Sequence, residues 1–307
     1  MTLNVLLPTV LCVCTQVASD FAPTNITARD VVETWKDRES KVLTAEFSWK
    51  VKEAYTPEGV LELLRGPNEA SSVAAPAKDI EFSYPSNLLL DGSRMRYSKS
   101  MMAVKAPPEY LQLEGRYISS YDGQSSRMLN LYAGGSRGII LNEQRNTDSI
   151  SQHLVPLIWC FRGLNPTFTE LREPELHVRG IIRMNQMDTL FVESPVRRFW
   201  LDPKREFIIV RLQGIRLSDG NPYYEADIDY QPDGMTAWVP QKWRVKAINR
   251  AQKITSTYEA TVTKHAINLP VEKDAFRLDF PADANVYDGI RKKHIQPRDK
   301  TSKTDSN

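Results

Sequence analysis

Residues 197–250 decide the fold. They read RRFWLDPKREFIIVRLQG from Arg197 to Gly214, YYEADIDYQPDG from Tyr223 to Gly234 and MTAWVPQKWRVKAINR from Met235 to Arg250. Extended segments rich in aromatic and β-branched residues follow one another here. Only Asp202-Pro203, Asp219-Gly220-Asn221-Pro222 and Pro232-Asp233-Gly234 interrupt them. Strands joined by turns this short must lie antiparallel. The remaining chain reads as more of this meander, or as helices laid across it.

Upstream, Ala45, Phe47, Trp49 and Val51 alternate with polar residues, which predicts a strand with one buried and one wet face. Asp91-Gly92 and Asp122-Gly123 join further strand pairs at Glu81–Leu90 with Arg94–Lys99 and at Tyr117–Tyr121 with Ser125–Tyr132. Strand patterns return at Leu176–Met184, Thr189–Ser194 and Arg198–Leu201, then at Ile254–Lys264 and Arg277–Phe280. Two helices break the series. Thr27 with Asp30 forms a capping box ahead of Val31, Trp35, Arg38 and Val42. The second spans about Asp148 to Arg162, with Ile150, Leu154, Leu157, Ile158 and Phe161 on one stripe, and Pro156 should kink or shorten it. Each helix must bury its stripe against a sheet. A dozen strands in one sheet must also curl to limit exposed edges.

The chain has 307 residues and a formal charge of +2. The segment from Arg291 holds six Lys/Arg against two Asp, so residues 20–290 carry about −2. No clustered basic face of the kind that displaces nucleic-acid counterions is present, and nucleic acid is set aside as a partner. Residues Val5 to Ser19 (VLLPTVLCVCTQVAS) have the length of a signal-peptide core and are too short to span a membrane. Export through residues 1–19 is therefore expected, leaving no transmembrane helix in the mature chain. Residues 20–290 are expected to form a single domain with a mobile loop at 65–79, followed by a disordered basic tail at 291–307. Of the three cysteines, Cys12 and Cys14 fall in the apolar leader, so Cys160 stands alone and reads as a buried, inert thiol.

Candidate chemistry is thin. Gly134-Gly135-Ser136-Arg137-Gly138 is a formal G-x-S-x-G match, but the residues after it are β-like, whereas a hydrolase serine sits on a strand-to-helix turn. His153 and Cys160 lie two helical turns apart, roughly 10 Å, beyond the reach of a catalytic dyad. Asp227 and Asp229 share a strand face without further oxygen ligands. His177, His265 and His294 lack partners at metal-ligand spacing. No catalytic residue, metal or cofactor is expected. What remains is apolar: Trp49, Met95, Met128, Trp159, Met187, Trp200 and Trp238 are candidate inward residues for an adaptable lipid cavity, Met because it repacks around irregular chains.

Several phrases carry a resemblance. Asp91-Gly92 precedes Arg94-Met95-Arg96-Tyr97, and Tyr121-Asp122-Gly123 follows. Then come Phe199-Trp200-Leu201-Asp202-Pro203, Trp238-Val239-Pro240 to Trp243, Phe280-Pro281 and Val286-Tyr287-Asp288. In order and spacing they resemble the LolA-like superfamily of periplasmic lipoprotein carriers and related lipid-binding proteins, in particular exported proteins of planctomycete type. The resemblance covers about Thr27 to Asp288. It implies a mainly β (α+β) fold: a strongly curved antiparallel sheet forming an unclosed half-barrel, with the N-terminal and mid-chain helices covering its concave face. It further implies a periplasmic or secreted, non-catalytic protein that binds lipid or lipoprotein acyl chains. In that family an early-strand arginine helps hold the lid loop. Lys50 and Lys52 stand on this chain's early strand instead, so no retaining residue is carried over. An envelope protein–protein interaction module with a filled core is the alternative, and a serine esterase using Ser136 a remote one.

Overall fold

The structure is a computed structural model describing residues 24–64, 76–105, 114–132, 134–142, 151–162 and 176–295. The expected signal peptide, most of the expected mobile loop and the caps of the mid-chain helix lie outside them. Helix α1 (Ala28–Lys41) leads to β1 (Thr44–Tyr55) and helix α2 (Pro57–Leu64). A first meander then runs through β2 (Ile80–Asp91), β3 (Arg94–Lys105), β4 (Gly115–Tyr121), β5 (Ser126–Tyr132) and β6 (Gly135–Leu141). After helix α3 (Ser151–Arg162) a second follows, through β7 (His177–Met184), β8 (Met187–Ser194), β9 (Arg197–Asp202), β10 (Ile208–Ile215), β11 (Pro222–Asp233), β12 (Ala237–Ile248) and β13 (Ile254–Ile267). Short strands β14 (Asn285–Asp288) and β15 (Lys293–Ile295) end it.

All fifteen described strands join one open sheet, ordered β15-β14-β6-β5-β4-β3-β2-β1-β13-β12-β11-β10-β9-β8-β7. The chain starts in the middle, winds out to one side, crosses to the far edge and winds back until β13 closes against β1, with Trp49 opposite Val262. The mainly β, unclosed architecture agrees with expectation, with one departure in direction. β14 runs parallel to β6, so the sheet is mixed rather than purely antiparallel.

Strand alternation sorts each residue to one of two faces. Ala45, Phe47, Trp49 and Val51 are buried on the face that α1, α2 and α3 cover, in one continuous core with Trp35, Leu157, Trp159, Phe199 and Trp243. The outer face carries charge ladders such as Arg211–Asp227 (2.6 Å) and Arg244–Glu259 (2.5 Å). Asp227 is thus spoken for by an arginine.

Helix α1 begins as its sequence demands, with the Thr27 side chain and Asp30 forming a reciprocal capping box. Helix α3 continues through Pro156 to Arg162. Helix α2 was not expected. The Thr56 hydroxyl accepts the Gly59 N–H (3.2 Å) and Pro57 opens the helix, so the start signal was present in a short segment. A glycine at 59 is required, because a Cβ there would lie 2.0 Å from the Thr255 carbonyl oxygen of β13.

Two further expectations change. Residues 277–280 are not a strand but, with Ala275 and Phe276, part of a strap across the outer face of β3–β6. Its carbonyls accept side-chain donors instead of a ladder: Arg96 to Ala275 (2.8 Å), Ser120 to Phe276 (2.5 Å) and Arg127 to Leu278 (3.2 Å). Leu278 packs on Ile118 and Leu129, and Phe280 lies against Gly138, where a Cβ would come within 2.5 Å of its ring. The ordered body also extends beyond Arg291, since β15 pairs with β14 through Lys293–Ile295.

Candidate functional site

The covered face has two parts of different chemistry. Under α1 and α3 it is aromatic and aliphatic. Trp35 of α1, Trp159 of α3 and Phe199 of β9 form a mutual cluster with centroids 6.0, 5.9 and 5.2 Å apart, and Leu154, Leu157 and Ile158 fill in around them. Edge-to-face and tilted aromatic pairs of this kind add to the gain from buried area.

The described side chains of the two covering helices make different contacts. Helix α1 is fastened by directional bonds. Trp35 Nε1 donates to the Phe207 carbonyl (3.0 Å), and Arg38, itself buried, donates to the Glu206 carbonyl (2.5 Å). Glu206 and Phe207 both hold left-handed backbone (φ +52°), a strained turn kept in place by those bonds. The described side chains of α3 are held by apolar contact, by the Arg197 guanidinium 5.1 Å from the Trp159 ring, and by a long Cys160 Sγ bond to the Trp238 carbonyl (3.8 Å). Burial pushes the Cys160 thiol up to about 12, with Arg38 opposing the shift. Such a thiol is no nucleophile at neutral pH.

Further along, over β1–β5, the same face becomes polar. Glu53, 1 % exposed, accepts the hydroxyls of Tyr55 (2.6 Å) and Tyr84 (2.5 Å). Trp49 Nε1 donates to the Tyr258 hydroxyl (2.8 Å), and Trp49 stacks on Tyr97 at 6.0 Å. Burial raises the pKa of Tyr55 and Tyr84 well above the ordinary tyrosine value, with the Glu53 charge acting in the same direction.

The seven candidate cavity residues do not line one space. Trp49, Met95 and Trp159 are buried in the core beneath the helices. Met128 is half-buried in the same cross-strand row as Ser119 and Tyr97, with the Tyr117 hydroxyl 3.1 Å from its sulfur. Met187 and Trp238 are both touched by Arg205, whose Nη2 is 3.8 Å from the Met187 sulfur and whose guanidinium lies 4.9 Å from the Trp238 ring. Trp200 is not an inward residue. Phe199 and Leu201 occupy the core side of β9, so Trp200 stands on the outer face beside Phe191 (5.0 Å). The polar residues Glu53, Ser86 and Lys99 were missed. They are remote in sequence, and only strand register gathers them.

Two cavities of the described residues open on the outer face. One, about 390 Å³, lies between Glu46, Leu89, Arg96 and Ser98 of the sheet and the Leu269–Ala275 segment. The other, about 460 Å³, is lined by Lys52, Ser83, Val104 and Glu259 among others. Ser136 is buried within β6 rather than on a strand-to-helix turn, and its hydroxyl has no hydrogen-bond partner among the described residues. A serine nucleophile needs a base within reach, and among the described residues none is hydrogen-bonded to this hydroxyl. Among the described residues no group of three His, Cys, Asp or Glu is placed to hold a metal, and no helix is long and apolar enough to cross a membrane.

No family model and no curated protein matches the sequence. Among solved structures, the chain is similar to a DUF1329 family protein from Desulfovibrio piger, with 11% identity over 81% of this chain and 95% of that one and a TM-score of 0.48. It is also similar to a LolA superfamily protein from Nitrosomonas europaea, with 11% identity over 82% of this chain and 98% of that one and a TM-score of 0.45. Identity this low leaves no residue of either to be carried onto this chain.

Proposed function

We propose that this chain is an exported, non-catalytic binding protein that holds an acyl chain, or the lipid moiety of a lipoprotein, between its sheet and helix α3. Residues 1–19 act as the leader, residues 20–290 as a single binding domain, and the protein works in the periplasm or outside the cell. The observation that carries this is one continuous apolar face beneath the covering helices, against which the described side chains of α3 pack. Helix α1 is fixed by hydrogen bonds to backbone. The described side chains of helix α3 rest almost wholly on apolar contact, which has no preferred geometry and can be exchanged for contact with another apolar body.

Leu154, Leu157, Ile158 and Trp159 of α3 are buried in the core, and we assign an acyl chain to the space they fill. Loading therefore replaces one set of apolar contacts with another. Each methylene moved from water is worth about 0.8 kcal/mol, and exposure of the α3 face offsets part of that gain. A near balance suits a carrier, which must release what it binds. Trp49, Met95, Met128 and Trp159 are the residues we place against the cargo, with Met187 and Trp238 at its margin.

Native mass spectrometry of the protein recovered from its exported state tests this directly. The expected result is a population heavier by the mass of a lipid, lost on delipidation and regained with a spin-labelled fatty acid that quenches tryptophan fluorescence. A single unliganded mass, with no quenching by any acyl probe, would overturn it. The 390 Å³ outer cavity favours a second reading, an envelope interaction module whose interior stays filled. Under it, a partner pulled down from the envelope would be lost on Leu89→Asp but retained when α3 is altered.

A further inference from the structure

Across the covered face, the register places Trp49 of β1, Ser86 of β2, Lys99 of β3, Tyr117 of β4, Asn130 of β5 and Arg137 of β6 in one row. The row runs from fully buried Ser86, through half-buried Lys99 and Tyr117, to exposed Asn130 and Arg137. Tyr97 stands beside it, two residues before Lys99 on the same face of β3. Burial and polarity thus change together along one line, from the aromatic core out to water.

Two buried hydroxyls here lack a partner among the described residues, and one half-buried ammonium beside them rests only on an aromatic face. The Ser86 hydroxyl and the Tyr97 hydroxyl, on residues 0% and 2% exposed, have no hydrogen-bond partner among the described residues. The two hydroxyls are neighbours: burial, the larger effect, raises the Tyr97 pKa, and the Ser86 hydroxyl acts against it. Lys99 has no ion pair or hydrogen bond among the described residues; its ammonium lies 5.6 Å from the Tyr84 ring centroid. Burial holds the Lys99 pKa below the ordinary lysine value, and the charge of Glu53 opposes that shift. Glu53 already accepts from Tyr55 and Tyr84. Buried donors left without acceptors carry the whole cost of lost hydration, so an arrangement of this kind marks a place where an acceptor belongs.

We infer that Ser86, Tyr97 and Lys99 form the seat for the acid group of an amphiphile, a carboxylate or a phosphate, whose tail enters the apolar core beside Trp49. The inference rests on the acyl-binding reading and deepens it by naming the head-group chemistry. An acid oxygen accepts from both hydroxyls and pairs with the ammonium, and charge-assisted bonds of this type are the strong ones. Trp49, stacked on Tyr97, marks where the polar seat gives way to the core. Arg137, at the solvent end of the row, gives an approaching anion a second positive charge on its way in.

Titration calorimetry on the delipidated full chain tests it, with dodecanoate, dodecyl phosphate, dodecanol, and acetate or inorganic phosphate alone. Dodecanoate or dodecyl phosphate should bind at least about ten-fold tighter than dodecanol, and whichever binds tighter identifies the acid. Lys99→Met should shrink that preference to under about three-fold while leaving dodecanol within about two-fold. Tyr97→Phe and Ser86→Ala should each remove part of it. Because Tyr97→Phe keeps the ring and its packing, it carries the test if Lys99→Met does not fold. Equal binding of all three amphiphiles, or a preference that survives Lys99→Met, overturns the acid seat and leaves the acyl site standing. Binding of the free anions as tightly as the amphiphiles overturns the head-group assignment. Binding of no amphiphile at all brings down both readings.

Discussion

Compare the part of the covered face under α1 and α3 with the part over β1–β5. The first is built from Trp35, Trp159, Phe199 and Leu157, the second from Glu53, Tyr55, Tyr84, Ser86 and Lys99 around Trp49 and Tyr97. Contacts among the first group tolerate sliding, since one apolar neighbour serves nearly as well as another. Contacts in the second do not, because each buried hydroxyl or carboxylate needs a specific partner at about 2.5–3 Å. On the proposed acyl-binding role, the first half is the one to open and refill and the second the one to select what is admitted.

The largest effect expected from breaking this contrast is at Phe199. Phe199→Ala removes the ring that Trp35 and Trp159 both pack on, and should cost about 3–5 kcal/mol in chemical denaturation. A loss under about 1 kcal/mol would mean the aromatic half is already loose. Next is Glu53→Leu, which leaves the Tyr55 and Tyr84 hydroxyls without their acceptor and should cost about 2–4 kcal/mol. Adding Tyr84→Phe should restore part of that. Strict additivity in the double-mutant cycle would show that the hydroxyl and the carboxylate are not coupled.

A smaller effect is expected with pH. Cys160 titrates near 9 when unfolded and near 12 in the fold because burial disfavours the thiolate. The folded state therefore holds the proton more tightly, so its contribution is complete below about pH 9 and declines as pH rises toward 12. Comparing unfolding at pH 8 and pH 10.5, wild type should lose more stability than Cys160→Ala. Equal losses would show the thiol to be solvated, and α3 with it. The smallest effect should come from the outer face. Arg244→Ala breaks a half-exposed pair with Glu259 and should change stability by no more than about 1 kcal/mol.

The strands were legible because their turns are local. Asp91-Gly92, Asp122-Gly123 and Pro232-Asp233-Gly234 each sit between paired strands where the sequence put them. The strap that includes residues 277–280 was misread for a physical reason. An extended segment shows period-two alternation whether its carbonyls meet a strand or the side chains of Arg96, Ser120 and Arg127, and sequence records only the alternation. Trp200 was ambiguous within Phe199-Trp200-Leu201, where three apolar residues in a row give no parity to read. The acid seat could not be read at all. Ser86 and Lys99 are neighbours only through the β2–β3 register, and nothing in either local sequence marks a hydroxyl that will lack a partner.

The closure of β13 on β1 has a consequence for how the molecule comes together. Ala45 pairs with Ile267 and Tyr55 with Ser256, so the central seam joins the opening and closing turns of the winding. Each meander can assemble from near neighbours, but the seam needs a loop of about two hundred residues to close, the slowest kind of contact to form. A ribosome making the chain from its N-terminus would finish the first meander with one flank of β1 still bare. That flank stays open to mispairing until residues 254–267 emerge, which makes the timing of synthesis a determinant of yield.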